Sequence, residues 1–520
     1  MEPNRSITKT ERIFRTYSGW GARQALKRVI PKNLLSQPFQ DLPSYPQVQA
    51  QVEDFVFHCG ILEMAERYEG LLREGVFTGE VRPYPKPDRQ GMSAVIILRS
   101  QDPSYSDEEI GISGLRWASD WQVEQDRPEE EALEHRFSDV EPELFRRVHL
   151  ASGWQMVYET NPEIDAYFME YSRLYLRRIS WQDLIGADEL IGGRPFSQYR
   201  EVLTVLSALS QKHIAFSAQA KAKFPGVPLR GLLTTHFPRK ALIESVARRL
   251  DADVSEVEEL LIPITLSAEN VDVHQSATIW APLVRASADN LIFPMHGVDL
   301  NPFTFLLADL RSRHQSDWFN LANTREARWI EELEQLFPAS SCCSQPKNLK
   351  LKDGGRVCTD IDFAVFNRNT SELGLFQLKW QQPVGVENRG RRSAGKNLLA
   401  EGNRWVAEVH QWMEKYGLDE LMRRLNFRGD RTPYVHLFVM GRYHSHLTGF
   451  DSRNSKAAWT DWAHFRRCVL EGDETLSLAA LRSRVEARMA EARDSKKGES
   501  LMLPIGDVAV VLNPTAAPTA

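Results

Sequence analysis

Two short runs in the last third of the chain carry the side chains best suited to chemistry. Val357–Phe366 (VCTDIDFAVF) holds Asp360 and Asp362, and Leu373–Trp380 (LGLFQLKW) holds Gln377 and Lys379. Both are apolar runs bounded by turn residues, so they read as strands. Side chains alternate along a strand, which points Ile361, Phe363 and Val365 one way and Cys358, Asp360, Asp362 and Ala364 the other. In the second run Phe376, Leu378 and Trp380 share one face and Leu375, Gln377 and Lys379 the opposite one. Paired as a hairpin across the turn residues Asn367–Glu372, the strands bring two carboxylates, an amide and an ammonium to one sheet face. Burying such charges is costly unless they pair or hold a metal. The set suits phosphodiester hydrolysis: hard oxygen ligands hold Mg²⁺ or Mn²⁺ with its waters, and a nearby cation orients the attacking water and offsets charge on the phosphate. On this reading Asp362 is the principal metal ligand. The Gln377 side-chain oxygen and the Leu378 backbone carbonyl complete the protein's share, and Lys379 positions and helps activate the nucleophile. The bland alternative is a solvated sheet edge on which Asp362 and Lys379 form a cross-strand ion pair.

The flanking elements are legible too. Thr324–Phe337 (TREARWIEELEQLF) is an amphipathic helix with Thr324 as its cap and Trp329, Ile330, Leu333 and Phe337 on one face. A β-like run, Asn348–Lys352, and a turn, Asp353–Gly355, precede the Asp362 strand. A basic, glycine-containing loop leads into a helix from about Lys396 to Tyr416, and Tyr434–Met440 (YVHLFVM) is a fourth, apolar strand. Helix, three strands, helix, strand describes an α/β core with a mixed sheet.

At these residues the sequence resembles the PD-(D/E)XK nuclease superfamily, the restriction-endonuclease-like fold. The family places an Asp on the second core strand and (Asp/Glu/Gln)-x-Lys on the third, after a helix that often supplies a Glu. Asp362 and Gln377-Leu378-Lys379 match, with fourteen residues between Asp362 and Gln377. The resemblance covers roughly Asn323–Arg442. It implies a nuclease dependent on Mg²⁺ or Mn²⁺ that hydrolyses DNA by a metal-activated water. Foreign-DNA restriction or repair would be the setting, by analogy with the fold. Among the helix acids Glu326 is the choice for the family's Glu, because Trp329, Leu333 and Phe337 follow it at core spacing; Glu331 and Glu334 are alternatives. Asp360 is either a second metal ligand or a residue of the sheet rim. One departure is the amide of Gln377, which binds a hard cation more weakly than a carboxylate, although the Gln-x-Lys form occurs in active branches similar to type IV restriction enzymes.

Beyond the third strand, Arg389, Arg391, Arg392, Lys396 and Arg404 outnumber the acids of that interval, Glu387 and Glu401, with Trp405 and Trp412 nearby. A basic loop entering a helix can hold phosphates, and these five residues are the candidate nucleic-acid contacts. A solvated loop with core tryptophans is the alternative.

Length and composition bound the rest. At 520 residues the chain is expected to form several domains. We read an N-terminal α+β region (1–115), an acidic connecting segment (116–160), a mainly helical domain (161–320), the nuclease-like domain (321–473) and a helical and flexible tail (474–520). A net charge of −6 excludes a wholly basic nucleic-acid coat. Asp120–Glu143 carries ten acids against two arginines, a solvated loop or helix face that would repel a phosphate backbone. ALIESVARRLDADVSEVEELL suggests helix-turn-helix, but Glu256, Glu258 and Glu259 on the second helix fit DNA poorly, so a plain packed pair is expected. Five cysteines show no zinc-knuckle spacing, and His444-Ser445-His446 lacks further ligands in register. Gly19-Trp20-Gly21 has no phosphate-loop continuation. No membrane span or signal segment is read, so a cytoplasmic protein is expected. The helical middle would supply target choice, a homodimer contact or a partner surface. Two rival functions stand beside the nuclease: a nuclease fold that binds nucleic acid without cutting it, and a scaffold or interaction protein.

Overall fold

The computed structural model describes residues 17, 21–22, 24–26, 46–73, 75, 77–83, 92–100, 125–151, 155–179, 185–227, 232–276, 281–299, 302–380, 388–429, 431–442, 453–472, 477–495, 501–505 and 507–512. His444-Ser445-His446 and Gly19-Trp20 lie outside them, as does the Ala/Pro/Thr end of the chain. The chain divides into two compact units, residues 1–60 with 119–325 and residues 61–118 with 326–520. Both mix helices with β-structure. No helix among the described residues is long and apolar enough to cross a membrane.

The first unit is built on the helix Phe196–Lys223. Its Val202, Leu203, Val205 and Leu206 pack in one core with Leu242, Ile243 and Val246 of Arg239–Leu250 and with Val257, Leu260 and Leu261 of Val254–Leu261. Those last two helices are the expected packed pair, joined through Asp251 in the left-handed conformation at φ 50°. The carboxylates that argue against DNA are spent inside the unit, with Glu258 2.6 Å from Arg239, and Glu256 and Glu259 beside Arg194. The described part of the acidic run lies in the helix Arg127–Arg147, which buries Leu133, Val140 and Leu144. Its Glu129 and Glu130 meet Arg177 and Arg178, while Glu131, Glu134, Asp139 and Glu141 are exposed, so the run is the expected solvated helix face over a buried apolar stripe. The region also holds a small sheet of Thr265–Leu266, Leu283–Arg285, Asn290–Pro294 and Thr234–Pro238. Strands of two to five residues are too short to announce themselves by alternation.

The second unit contains β1 (Phe77–Pro83), β2 (Ala94–Ser100), the part of α1 (Gln315–Gln335) from Glu326 onward, β3 (Cys342–Gln345), β4 (Leu349–Asp353), β5 (Arg356–Ile361), β6 (Phe363–Asn367) and β7 (Glu372–Lys379). It continues with α2 (Asn388–Tyr416), α3 (Leu418–Arg424), β8 (Tyr434–Gly441), β9 (Ala457–Asp461), α4 (Trp462–Leu470), α5 (Leu478–Ser495), β10 (Leu501–Ile505) and β11 (Val508–Leu512). Five strands form a mixed sheet in the order β3-β6-β7-β8-β9. β7 is antiparallel to β6 and parallel to β8, and β9 is parallel to β8. One face carries a ladder of rings, Phe363, Phe376 and Phe438, lined up across three strands, with Phe337 and Phe465 packed on it. The other face is covered by α2, whose Trp405, Val406, Val409 and Trp412 meet Ala364, Phe366, Leu375 and Val439. A separate sheet pairs β2 in parallel with β11, Ala94 opposite Val508, and joins two ends of the unit that lie far apart in sequence.

Three local expectations change. The 357–366 run is not one strand: β5 pairs with β4 in a two-stranded ribbon, β6 enters the main sheet, and Asp362 occupies the break. α1 begins at Gln315, so Thr324 is an exposed interior position and not a cap. α2 begins at Asn388, which places Arg389, Arg391 and Arg392 on helical backbone where Gly390 and Gly395 suggested a loop; their side chains lie outside the described residues.

Glu372 fastens α5 to the sheet. Its carboxylate accepts hydrogen bonds from Leu478 N (2.7 Å), Ser477 Oγ (3.1 Å) and Ala479 N (3.2 Å), the donors that open the helix, and from Thr370 Oγ1 (2.7 Å) in the β6–β7 turn. Burial pushes this carboxyl up, and the four hydrogen bonds outweigh it, so the group sits below its ordinary range. A depressed folded pKa contributes stability above the unfolded value that is lost as pH falls. Glu372→Gln is therefore expected to destabilise the protein by on the order of 1–2 kcal/mol at neutral pH, and the gap to the wild type should close in acid. Chemical denaturation of both proteins at neutral and acidic pH measures this.

Candidate active site

The break after Ile361 decides where Asp362 points. Asp362 N donates to Phe376 O (3.1 Å), which registers the residue at the start of β6. The side chain is 4% exposed. Its Oδ2 accepts from Leu378 N (2.7 Å) and from the Gln377 amide nitrogen, and its Oδ1 accepts from Asn348 Nδ2 (3.0 Å). Residues beyond Phe376 have no ladder partner on β6, so the carboxylate caps the Leu378 N–H that the sheet leaves over. A residue's N–H and C=O leave a strand on the same side, so the Leu378 carbonyl also faces the Asp362 edge. The Leu378 side chain is buried on the opposite, apolar face.

Charge is concentrated here. Burial, opposed by the Leu378 N–H and reinforced by Asp360 and Glu326, pushes the Asp362 carboxyl up to about 7; Lys379 pulls the other way. Glu326, half-buried on α1, is raised by burial and by Asp360 and lowered by Lys379. The four groups thus sense one another across strand, ribbon and helix. Asp360 accepts from Asn348 Nδ2 (2.9 Å), and its backbone carbonyl takes the indole N–H of Trp405 (2.6 Å), which pins the ribbon to α2. Of the other helix acids, Glu331 is exposed and Glu334 is hydrogen-bonded by Ser344.

Lys379 stands at the end of β7, and its Nζ lies 3.0 Å from Glu401 Oε2 on α2. Among the described residues no ion pair joins it directly to Asp362, so the cross-strand pair is not the arrangement found. The strand end is held from its far side. Arg442 N donates to Lys379 O (3.0 Å), while the Arg442 guanidinium is buried among Trp329, Trp380 and Trp462 and lies 2.6 Å from Glu332. Asp362, Gln377, Leu378, Lys379, Asp360 and Glu326 are brought together. Lys396 and Arg404 are exposed on α2, and Arg404 lies 4.0 Å from Glu408.

Two participants escape the sequence pattern. Asn348 faces Asp362 because the β4–β5 register, Leu349 opposite Ile361 and Lys350 opposite Asp360, extends by one residue; a bulge between Leu351 and Lys352 shifts that register by one from what the Asp353–Gly355 turn alone dictates, so no local signal could have found it. Glu401 lies one helical turn before the buried Trp405, hence on the sheet-facing side of α2. No three His, Cys, Asp or Glu side chains among the described residues form a metal cage by themselves. The donors on hand are oxygens: Asp362 and Asp360, the amides of Gln377 and Asn348, and a backbone carbonyl. That is a sparse, hard set, which fits an ion that keeps most of its waters better than one needing a protein cage.

No protein-family model matches the chain, and no curated protein or solved structure matches it.

A carboxyl whose folded pKa exceeds its unfolded value binds more protons when folded, so stability falls as pH rises from the unfolded value through about 7. In EDTA, Asp362→Asn is expected to stabilise the protein at about pH 8 by on the order of 2 kcal/mol, the relief of a buried charge less the altered hydrogen bonds. The gain should disappear near pH 4, where both proteins are neutral at this position. Denaturation curves at the two pH values test it, and an equal effect at both would show that the carboxylate is not strained.

Proposed function

We propose that this chain is a divalent-metal-dependent nuclease that hydrolyses DNA phosphodiester bonds at the Asp362 site. The observation that carries the reading is the Asp362 carboxylate itself. It is nearly fully buried at a strand break, next to two further acids, with Lys379 at the end of the neighbouring strand. Strongly raised carboxyls cluster at functional sites, and a raised carboxyl inside a cluster of like charge is relieved by a cation. Support for a restriction-endonuclease-like core comes from the order of α1, the strands β3 to β7, α2, α3 and β8, and from the mixed sheet with β7 and β8 parallel.

Asp362, Asp360, the Gln377 amide and the Leu378 carbonyl would hold Mg²⁺ or Mn²⁺. When bound, such an ion supplies a Lewis acid that polarises the phosphate and acidifies water. The chain does the positioning. Lys379, checked by Glu401 rather than locked to Asp362, can place its ammonium against the phosphate and orient the attacking water. Glu326 is raised by burial and by Asp360 and senses Lys379, and is the candidate acid to accept or return a proton there. Exposed Lys396 and Arg404 on α2, with the helical backbone of Arg389, Arg391 and Arg392 preceding them, provide cationic positions for the DNA backbone. A foreign-DNA restriction or repair role follows from this chemistry only as analogy.

A second reading is a nuclease fold that binds nucleic acid without cutting it, favoured by the neutral Gln377 whose amide nitrogen, not its oxygen, faces Asp362. Nicking of supercoiled plasmid and of single-stranded DNA separates the two. Wild-type protein should cut in Mg²⁺ or Mn²⁺ and not in EDTA, and Lys379→Ala should lose at least about 100-fold in rate with an unchanged melting temperature. Equal nicking by wild type and variant would remove the enzyme reading; salt-sensitive DNA binding without any cleavage would leave the binding protein.

A further inference from the structure

Asn348 sits just before β4, opposite Asp362, and alternation places it on the face that carries Asp360 and Asp362. Its Nδ2 donates to both, at 2.9 Å to Asp360 Oδ2 and 3.0 Å to Asp362 Oδ1. A planar amide has two N–H groups on one edge and an oxygen on the other. Here both N–H groups are spent on carboxylates, and the orientation is dictated by charge, because the oxygen edge would face two anions. Gln377 does the same from the other side, giving its amide nitrogen to Asp362 Oδ2. Two neutral amides therefore stand where positive charge is called for, and a half-turn of either replaces a donor edge by an acceptor. Asn348 is also solvent-exposed, at the open end of the ribbon, so its rotation displaces nothing in the core.

We infer that Asn348 is a further ligand of the cation site. It bridges Asp360 and Asp362 through its NH₂ in the ion-free protein and presents Oδ1 when a divalent ion binds. The inference rests on the cation-dependent reading of the Asp362 site and adds a residue to it.

Mn²⁺ binding to the full-length protein, followed by calorimetry or by the resonance of free Mn²⁺, tests it with Asn348→Ala, Asn348→Asp and Asp362→Asn. Asn348→Ala should weaken Mn²⁺ binding by about 10-fold or more, the usual penalty for losing a group that holds or orients a ligand set. Asn348→Asp should bind at least as tightly as wild type, since a carboxylate oxygen replaces the amide oxygen. In EDTA the order should invert: Asn348→Asp sets a third acid against two others and should melt below Asn348→Ala. A purely structural strut gives no such inversion, because aspartate would then be the worse substitution in both measurements. Asn348→Ala binding Mn²⁺ like wild type, or Asn348→Asp binding no better than Asn348→Ala, overturns the inference alone. Wild type that binds no Mn²⁺, or Asp362→Asn that binds it undiminished, overturns the cation site and this inference with it.

Discussion

The carboxylate of Asp362 is buried where one strand leaves the β4–β5 ribbon and enters the five-stranded sheet, and the local structure is arranged around it. A continuous strand would have run Asp362 into the ladder and left the N–H of Leu378 for water or for another strand. Instead the chain bends, and the carboxylate itself takes that N–H at 2.7 Å. The same bend frees β5 to pair with β4, which carries Asn348 up to the carboxylate from the opposite side. One residue thus ends a ladder, starts a ribbon and collects the donors around it. The cost is a charge held in a poorly solvated place, raised well above its ordinary range.

That cost requires a rigid frame. The ring ladder of Phe363, Phe376 and Phe438 lies on one face of the sheet directly beneath the bend, and neighbouring rings 4.8–5.5 Å apart fix the relative height of three strands. On the other face Trp405 reaches across to the backbone of Asp360. Arg442, buried among three tryptophans, ties the next strand to Lys379 through its own backbone. None of these side chains bears on the proposed chemistry directly. They restrict where the acids and Lys379 can go, and a loosely held ammonium could not be kept in reach of an acid without collapsing onto it. Glu401 supplies the remaining restraint, at a half-exposed position where an ion pair is weak enough to exchange.

Electrostatics also distinguish the two units. In the first, several acids that stand out in the sequence are matched internally, by Arg177 and Arg178 against Glu129 and Glu130 and by Arg194 and Arg239 against Glu256, Glu258 and Glu259. In the second, burial, Asp360 and Glu326 all push Asp362 up, and Lys379 opposes them only partly. A local excess of negative charge at a buried position is the physical difference between these internally matched pairs and the strained Asp362 carboxyl.

The packed helix pair Arg239–Leu250 and Val254–Leu261 was legible, because each helix buries an apolar stripe the sequence displays. So were the β7 and β8 strands and the shared face of Gln377 and Lys379, since alternation along a strand follows from residue order alone. What residue order could not settle was where long-range pairing interrupts it. The break at Asp362 depends on β5 finding β4 and β6 finding β7, the helical start of α2 overrides two glycines, and β2 meets β11 from the far end of the chain. Asn348 and Glu401 joined the site for the same reason. Local pattern determines which way a side chain points from its own element; only packing between elements determines what it then meets, because that choice is made by the total area buried and the backbone groups satisfied, not by any one segment.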